Sequence, residues 1–177
     1  MATKLFSKYQ RVGIFVDVQN MFYSAKHLRN AKLNFNKLME KALQGRQLIR
    51  AICYCVNNQD NDQTSFFEML ASNGYEVRMK ELRTRNDGSA KADWDMGIAI
   101  DAVSLADKLD IIVLVSGDGD FIDLVHHLKH KGVSVELISF ERSTNEDLIE
   151  SVDHYIPIEE DLLISNSRPR RRFRFKQ

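Results

Sequence analysis

The 177-residue chain is 44% hydrophobic and 28% charged, with 25 basic and 25 acidic residues, two prolines and eight glycines. That size suits one domain with a sizeable core, and the composition argues against long disordered linkers. No apolar run reaches the roughly 18 residues that span a membrane, and Met1–Arg11 lacks a following signal-peptide core, so a cytoplasmic protein without membrane contact is expected.

The zero net charge hides an asymmetry. Arg168, Arg170, Arg171, Arg172, Arg174 and Lys176 crowd the last ten residues; taking those six away leaves 19 basic against 25 acidic residues. The chain therefore reads as an acidic body with a basic tail. Three segments are expected: a lead-in over 1–10, one domain over 11–160, and the tail over 161–177. Cys53 and Cys55 lie two apart on one face of a strand-like run, which favours reduced core thiols over a disulfide.

In chain order, Arg11–Val18 reads as a buried strand whose end is interrupted by Asp17, and Gln19–Leu28 as a helix. Asn34 is suited to cap a helix ending at Leu43, with Gly45 just beyond. Leu48–Val56 is a second strand, and Asn57–Asp62 is a polar loop at its end. Gln63–Ser72 forms a helix stopped by Asn73-Gly74. Tyr75–Leu82 alternates as a half-exposed edge strand, with Tyr75, Val77 and Met79 inward. A basic loop, Arg83–Ala90, follows. Asp93–Leu109 is apolar on nearly all sides and predicts a long, buried helix, with Asp93 as its N-cap.

The strand Ile111–Val115 then runs into Ser116-Gly117-Asp118-Gly119-Asp120-Phe121, followed by a helix over Phe121–Lys131 and a strand over Val133–Phe140. Ser143-Thr144-Asn145-Glu146 has capping-box form for a last helix to Val152, and His154–Ile158 forms a last strand. Alternating strands and helices predict an α/β fold: a three-layer α/β/α sandwich around a mainly parallel sheet.

In open α/β sheets, ligands bind beyond the C-terminal ends of the strands. Asp17 and Asp118 end two strands, Asp120 opens a helix and Asp95 lies in a first turn. If the first and fourth strands are neighbours, Asp17 and Asp118 lie side by side. At about 4 Å two like charges repel by about 4 kcal/mol at an effective dielectric of 20. A divalent cation removes that cost, and Mg²⁺ favours oxygen ligands. Such an ion activates water and stabilises charge on a phosphate.

Plainer roles compete. Asp120 suits an N-cap and Asp118 a turn, whereas nothing local calls for a carboxylate at Asp17. Asp95 suits the helix dipole, and Asp101, about 120° away around its helix, belongs to a different environment such as a buried hydrogen bond. Asp123 belongs to the edge of the site or to solvent. His126 and His130 are one turn apart, but with no HExxH glutamate and no third ligand they read as a solvated helix face. No Walker loop, dinucleotide fingerprint or paired nucleophile occurs.

Three blocks, Ile14–Asn20 (IFVDVQN), Lys91–Ala102 (KADWDMGIAIDA) and Val115–Phe121 (VSGDGDF), together resemble the LabA-like branch of NYN domains within the PIN-like nuclease superfamily, over about residues 11–158. The resemblance implies a PIN-like, Rossmannoid sandwich with an acidic cleft for Mg²⁺ or Mn²⁺, and a metal-dependent ribonuclease activity. It implies Asp17, Asp95 and Asp118 as metal ligands with Asp120 beside them. Asn20 would orient Asp17 or a water, Lys91 would meet a substrate phosphate, and Ser116 would support the turn.

Arg83 and Arg85 offer a second phosphate contact. In the tail, Phe173 and Phe175 among arginines suit single-stranded RNA, but the same segment reads equally as a solubilising tail or as a docking segment for a second copy or a protein partner. The competing functional class is a non-catalytic adaptor that keeps the cleft but acts by binding RNA or protein.

Overall fold

A computed structural model describes residues 7–57, 62–81, 83, 84, 90, 91 and 93–165. The first strand, β1 (Arg11–Asp17), is buried at every residue after Arg11. Because side chains alternate along a strand, Val12, Ile14 and Val16 enter one core and Phe15 the other. Helix α1 (Val18–Arg29) follows directly, and β2 (Ala31–Leu33), α2 (Phe35–Leu43), β3 (Gln47–Asn57), α3 (Thr64–Ser72) and β4 (Glu76–Glu81) complete the first half. A two-residue ladder, β5 (Arg83–Thr84) with β6 (Ala90–Lys91), precedes α4 (Asp95–Leu105). The second half holds β7 (Ile111–Val115), α5 (Ile122–His130), β8 (Ser134–Ser139), α6 (Glu146–Ser151), β9 (His154–Pro157) and β10 (Leu163–Ser165).

The main sheet runs β4-β3-β1-β7-β8-β9, with every neighbouring pair parallel. Met21 of α1, Leu38 of α2 and Leu70 of α3 pack in the core on one face. Ile98 of α4, Val125 of α5 and Leu148 of α6 pack on the other. The protein is thus a three-layer α/β/α sandwich. Strand order reverses between β1 and β7, and at such a reversal the connections diverge and leave a crevice at the C-terminal lip. Gly13 lets the layers close: a Cβ there would lie 2.5 Å from Leu109 Cδ1. Cys53 and Cys55 are buried free thiols in the core that holds Met21, Leu38 and Leu70.

Several local expectations change. Asp93 does not cap α4; the cap position is Trp94, which makes no side-chain capping bond. The helix is also shorter than its apolar sequence predicts and not buried all round, since Met96 and Ile100 are exposed. The edge strand β4 is where alternation puts it, yet Met79, expected inward, is exposed; among the described residues no strand pairs with β4 on its outer side. The capping-box reading shifts by two: Asn145 caps α6, its Oδ1 accepting the Leu148 N–H at 3.2 Å, while Ser143 ends a 3₁₀ turn. Residues 161–165, read as the start of the tail, lie within the fold: Leu162 is buried and β10 pairs antiparallel with β2. Two three-residue strands leave too little periodicity to be seen in sequence. The basic residues 168–177 lie outside the described residues. Among the described residues no helix is long and apolar enough to cross a membrane.

Among the described residues one ion pair is fully buried. Arg46 donates from Nη1 and Nη2 to the two carboxylate oxygens of Glu136 at 2.8 and 2.7 Å, from Nη2 also to the Ala42 carbonyl, and from Nε to the Leu43 carbonyl. It joins the last turn of α2 to β8. Removing one partner strands a buried charge. Glu136→Leu is expected to cost about 3–5 kcal/mol in urea unfolding, and the double variant Arg46→Met/Glu136→Leu to recover most of that loss.

Candidate metal centre

The pairing of β1 with β7 carries Val16 to Val115, so Asp17 and Ser116 are the next residues to meet. Asp17 is 8% exposed. Its Oδ1 accepts the Asn20 N–H at 3.0 Å, and its Oδ2 faces the Ser116 hydroxyl at 3.4 Å. Asp17 is therefore the N-cap of α1, a local use of the carboxylate that the sequence pattern did not suggest. The buried Ser116 Oγ also accepts the Asp118 N–H at 3.3 Å.

Asn20 works by a different route from the one expected. Its backbone N–H orients Asp17, and its side-chain oxygen takes the Gly117 N–H at 3.1 Å. The first turn of α1 thereby holds the acidic turn in place. Capping in that turn also falls on the other aspartate: Asp118 Oδ1 accepts the Asp120 N–H at 3.0 Å, while α5 begins after Phe121 with no side-chain cap. The N-cap role expected of Asp120 is not used. Its side chain is exposed and lies with the other acids.

Asp95, Asp118 and Asp120 each bring one carboxylate oxygen within 4.8 Å of the others. Three hard oxygen donors, with one carboxylate open to solvent, suit a divalent ion such as Mg²⁺ or Mn²⁺ that keeps some of its waters. Asp17 lies outside this trio but feels it. Burial first, and then the charges of Asp95 and Asp118, push its carboxyl up to about 6, against the hydrogen bonds from Asn20 and Ser116. Asp101 belongs elsewhere, as its spacing implied: it accepts from the Tyr54 hydroxyl at 2.7 Å and pairs with Arg78 at 2.9 Å. Lys91 and Arg83 face each other as backbone partners in the β5–β6 ladder. Arg85 lies outside the described residues. His126, His127 and His130 are exposed on α5.

Two supports escaped the sequence reading. The first is Trp94, which seemed only one apolar residue among many. Its Nε1 donates to the Cys55 carbonyl at 2.8 Å, its ring meets Tyr54 edge-on at 5.2 Å, and Lys80 lies over it at 4.2 Å while donating to the Asp93 carbonyl at 2.8 Å. These contacts fix the start of α4 and hence Asp95. Gly97 leaves room for the ring, because a Cβ would lie 2.5 Å from Trp94 Cε3. The presence of a single tryptophan, directly before an aspartate, was the available signal. The second support is the loop after β8. Asn145 donates its N–H to the Gly117 carbonyl at 3.1 Å, and a Cβ on Gly117 would lie 2.7 Å from the Ser143 carbonyl oxygen.

A parallel α/β domain with an acidic trio at its topological switch point is the class of protein that this arrangement defines. The chain belongs to the NYN domain family, in its LabA-like branch. The NYN domain model matches residues 11–159. The low amplitude and bright protein LabA of Synechococcus elongatus is 31% identical over 157 residues, covering 84% of this chain and 83% of that protein. The crystal structure of a protein of unknown function from Vibrio parahaemolyticus superposes with a TM-score of 0.83 at 34% identity, covering 90% of this chain and 99% of the other.

Raised to about 6, the Asp17 carboxyl sets a pH dependence. The folded protein holds its proton more tightly than the unfolded chain does, so folding carries no penalty from this group below about pH 4. The penalty grows as pH rises through 6, reaching about 3 kcal/mol. Asp17→Asn, which keeps an acceptor for Asn20, is expected to raise stability in EDTA by up to that amount at pH 7.5 and to change little at pH 4, as read by urea unfolding. Gly117→Ala pushes a methyl group against a backbone carbonyl. It is expected to cost about 1–3 kcal/mol, as read by urea unfolding.

Proposed function

We propose that the protein is a metal-dependent ribonuclease that cleaves single-stranded RNA. The observation that carries this reading is the convergence of the Asp95, Asp118 and Asp120 carboxylates beside the buried Asp17 at the crevice between β1 and β7. Membership of the NYN family supports it.

In this reading Asp95, Asp118 and Asp120 hold a Mg²⁺ or Mn²⁺ ion, with Asp17 as the inner carboxylate. A bound divalent ion supplies a polarised water and neutralises charge gathering on a phosphate. The protein's own part is positioning. Ser116 and the Asn20 N–H aim the Asp17 carboxylate, and the Asn20 side chain and Asn145 hold Gly117 so that Asp118 keeps its place. Asp95 sits at the first position of α4, where the helix dipole favours negative charge. Asp120, being exposed, is open to an arriving substrate. Lys91, with Arg83 and Arg85, is assigned to the RNA phosphates, a contact that fixes position without reading sequence.

Cleavage of a fluorescent single-stranded RNA with Mg²⁺ or Mn²⁺ tests the reading. Wild type is expected to cleave, EDTA to stop it, and Asp118→Asn and Asp17→Asn to lower the rate at least about 100-fold, the scale on which a lost charge-stabilising group acts. Equal cleavage by both variants refutes the assignment. RNA binding without cleavage under either ion favours the adaptor function instead.

A further inference from the structure

Phe22 and Tyr23, two adjacent aromatic residues on α1, are 53% and 52% exposed. Single exposed apolar residues are ordinary, but these two are organised. Tyr23 and His27 stack at 6.3 Å with their planes 16° apart, Phe22 meets Tyr23 edge-on at 5.8 Å, and the Lys26 ammonium lies 5.9 Å from the Phe22 ring centre. The helix Val18–Arg29 carries Lys26, His27 and Arg29 and no acidic residue, in a body whose acids exceed its bases.

Position links this face to the acidic centre. Residues three and seven apart share a helix face, so Asn20, Tyr23 and His27 form one strip. Its first member holds Gly117 in the acidic turn. At 1.5 Å per residue the strip runs only about 10 Å along α1. Beside Phe22 opens a groove of about 660 Å³ lined by Val18, Gln19, Val56 and Phe66, and the first three of these lie at the same lip of the sheet as Asp17. Half-exposed rings, with cationic side chains on the same helix and a strip leading to the acidic turn, match the chemistry of an unpaired polynucleotide, whose bases stack on aromatics while its phosphates meet the cations.

We propose that α1 carries a stacking subsite for unpaired nucleobases, formed by Phe22 and Tyr23 with Lys26 and His27, which feeds a single strand toward the acidic centre. The subsite deepens the ribonuclease reading and rests on it for its ligand.

The test uses the full chain in EDTA, with binding read by the anisotropy of a fluorescein-labelled twelve-residue uridine strand and of a sugar-phosphate strand of equal length without bases. Tyr23→Ala and Phe22→Ala are expected to weaken uridine binding about 5- to 100-fold and to leave the base-free strand unchanged. Tyr23→Trp is expected to retain binding. Thermal midpoints equal to that of wild type check that the variants fold, as substitutions at exposed positions should. Alanine variants that bind as wild type, or that lose both strands equally, overturn the subsite. Sedimentation in which wild type is a dimer and the alanine variants are monomers assigns the face to a second copy and overturns it too. Cleavage with Mn²⁺ is read separately. Ring-dependent binding without cleavage refutes only the ribonuclease reading, whereas cleavage with ring-independent binding refutes only the subsite.

Discussion

Five residue pairs between β1 and β7, from Val12 with Ile111 to Val16 with Val115, decide where the acidic groups meet. Both strands are buried on both faces, so a slip of one residue would send every side chain into the wrong core. With that register held by packing, the residues that follow, Asp17 and Ser116, must lie side by side at the lip. The divergence of the two connections, α1 to one face and α5 to the other, then leaves the crevice into which Asp118 and Asp120 project. The geometry of the site is thus a consequence of how the core packs.

Among Asp17, Asp95, Asp118 and Asp120, capping was the plainer role expected of Asp120 alone, yet two others take it. Asp17 caps α1 and Asp118 caps the 3₁₀ turn after β7. A carboxylate has two oxygens with about four acceptor sites between them, so an oxygen that accepts a backbone N–H leaves capacity for a cation. Capping here also orients, because each backbone bond fixes the carboxylate plane before any ligand arrives. Orientation of this kind is what a supporting shell contributes to a metal site.

The carboxylates come from separate elements, and each element is clamped. Trp94 and Lys80 tie the start of α4 to β3 and β4, so Asp95 follows the sheet. Asn20 and the Ser143–Asn145 loop close on Gly117 from two sides, which is why no side chain fits there. Asp17 is held at the centre with its charge disfavoured by burial and by its neighbours. A positive charge nearby would lower that electrostatic cost.

Much of the fold was legible in the sequence because strong patterns marked it. The apolar runs at Arg11–Val18 and Ile111–Val115, the glycines and asparagines at helix ends, and the three motif blocks identified the six main strands, the layers and the family. What failed was short or bulky. β2 and β10 are three residues each, too brief for periodicity to register. The apolar sequence of α4 hid its exposed Met96 and Ile100, since hydrophobicity does not tell which side of a helix the neighbours cover. Sequence also determined which acids exist and that Asp17 and Asp118 lie at strand ends. Only the tertiary structure decided their division of labour: Asp118 caps in place of Asp120, Asn20 serves Gly117 as well as Asp17, and Asp95, Asp118 and Asp120 form the close trio with Asp17 buried beside them. The reason is physical. Hydrogen-bond partners 97 to 99 residues apart, such as Asn20 with Gly117 and Ser116 with Asp17, are chosen by the packing of the sheet, and no local pattern encodes a distance across it.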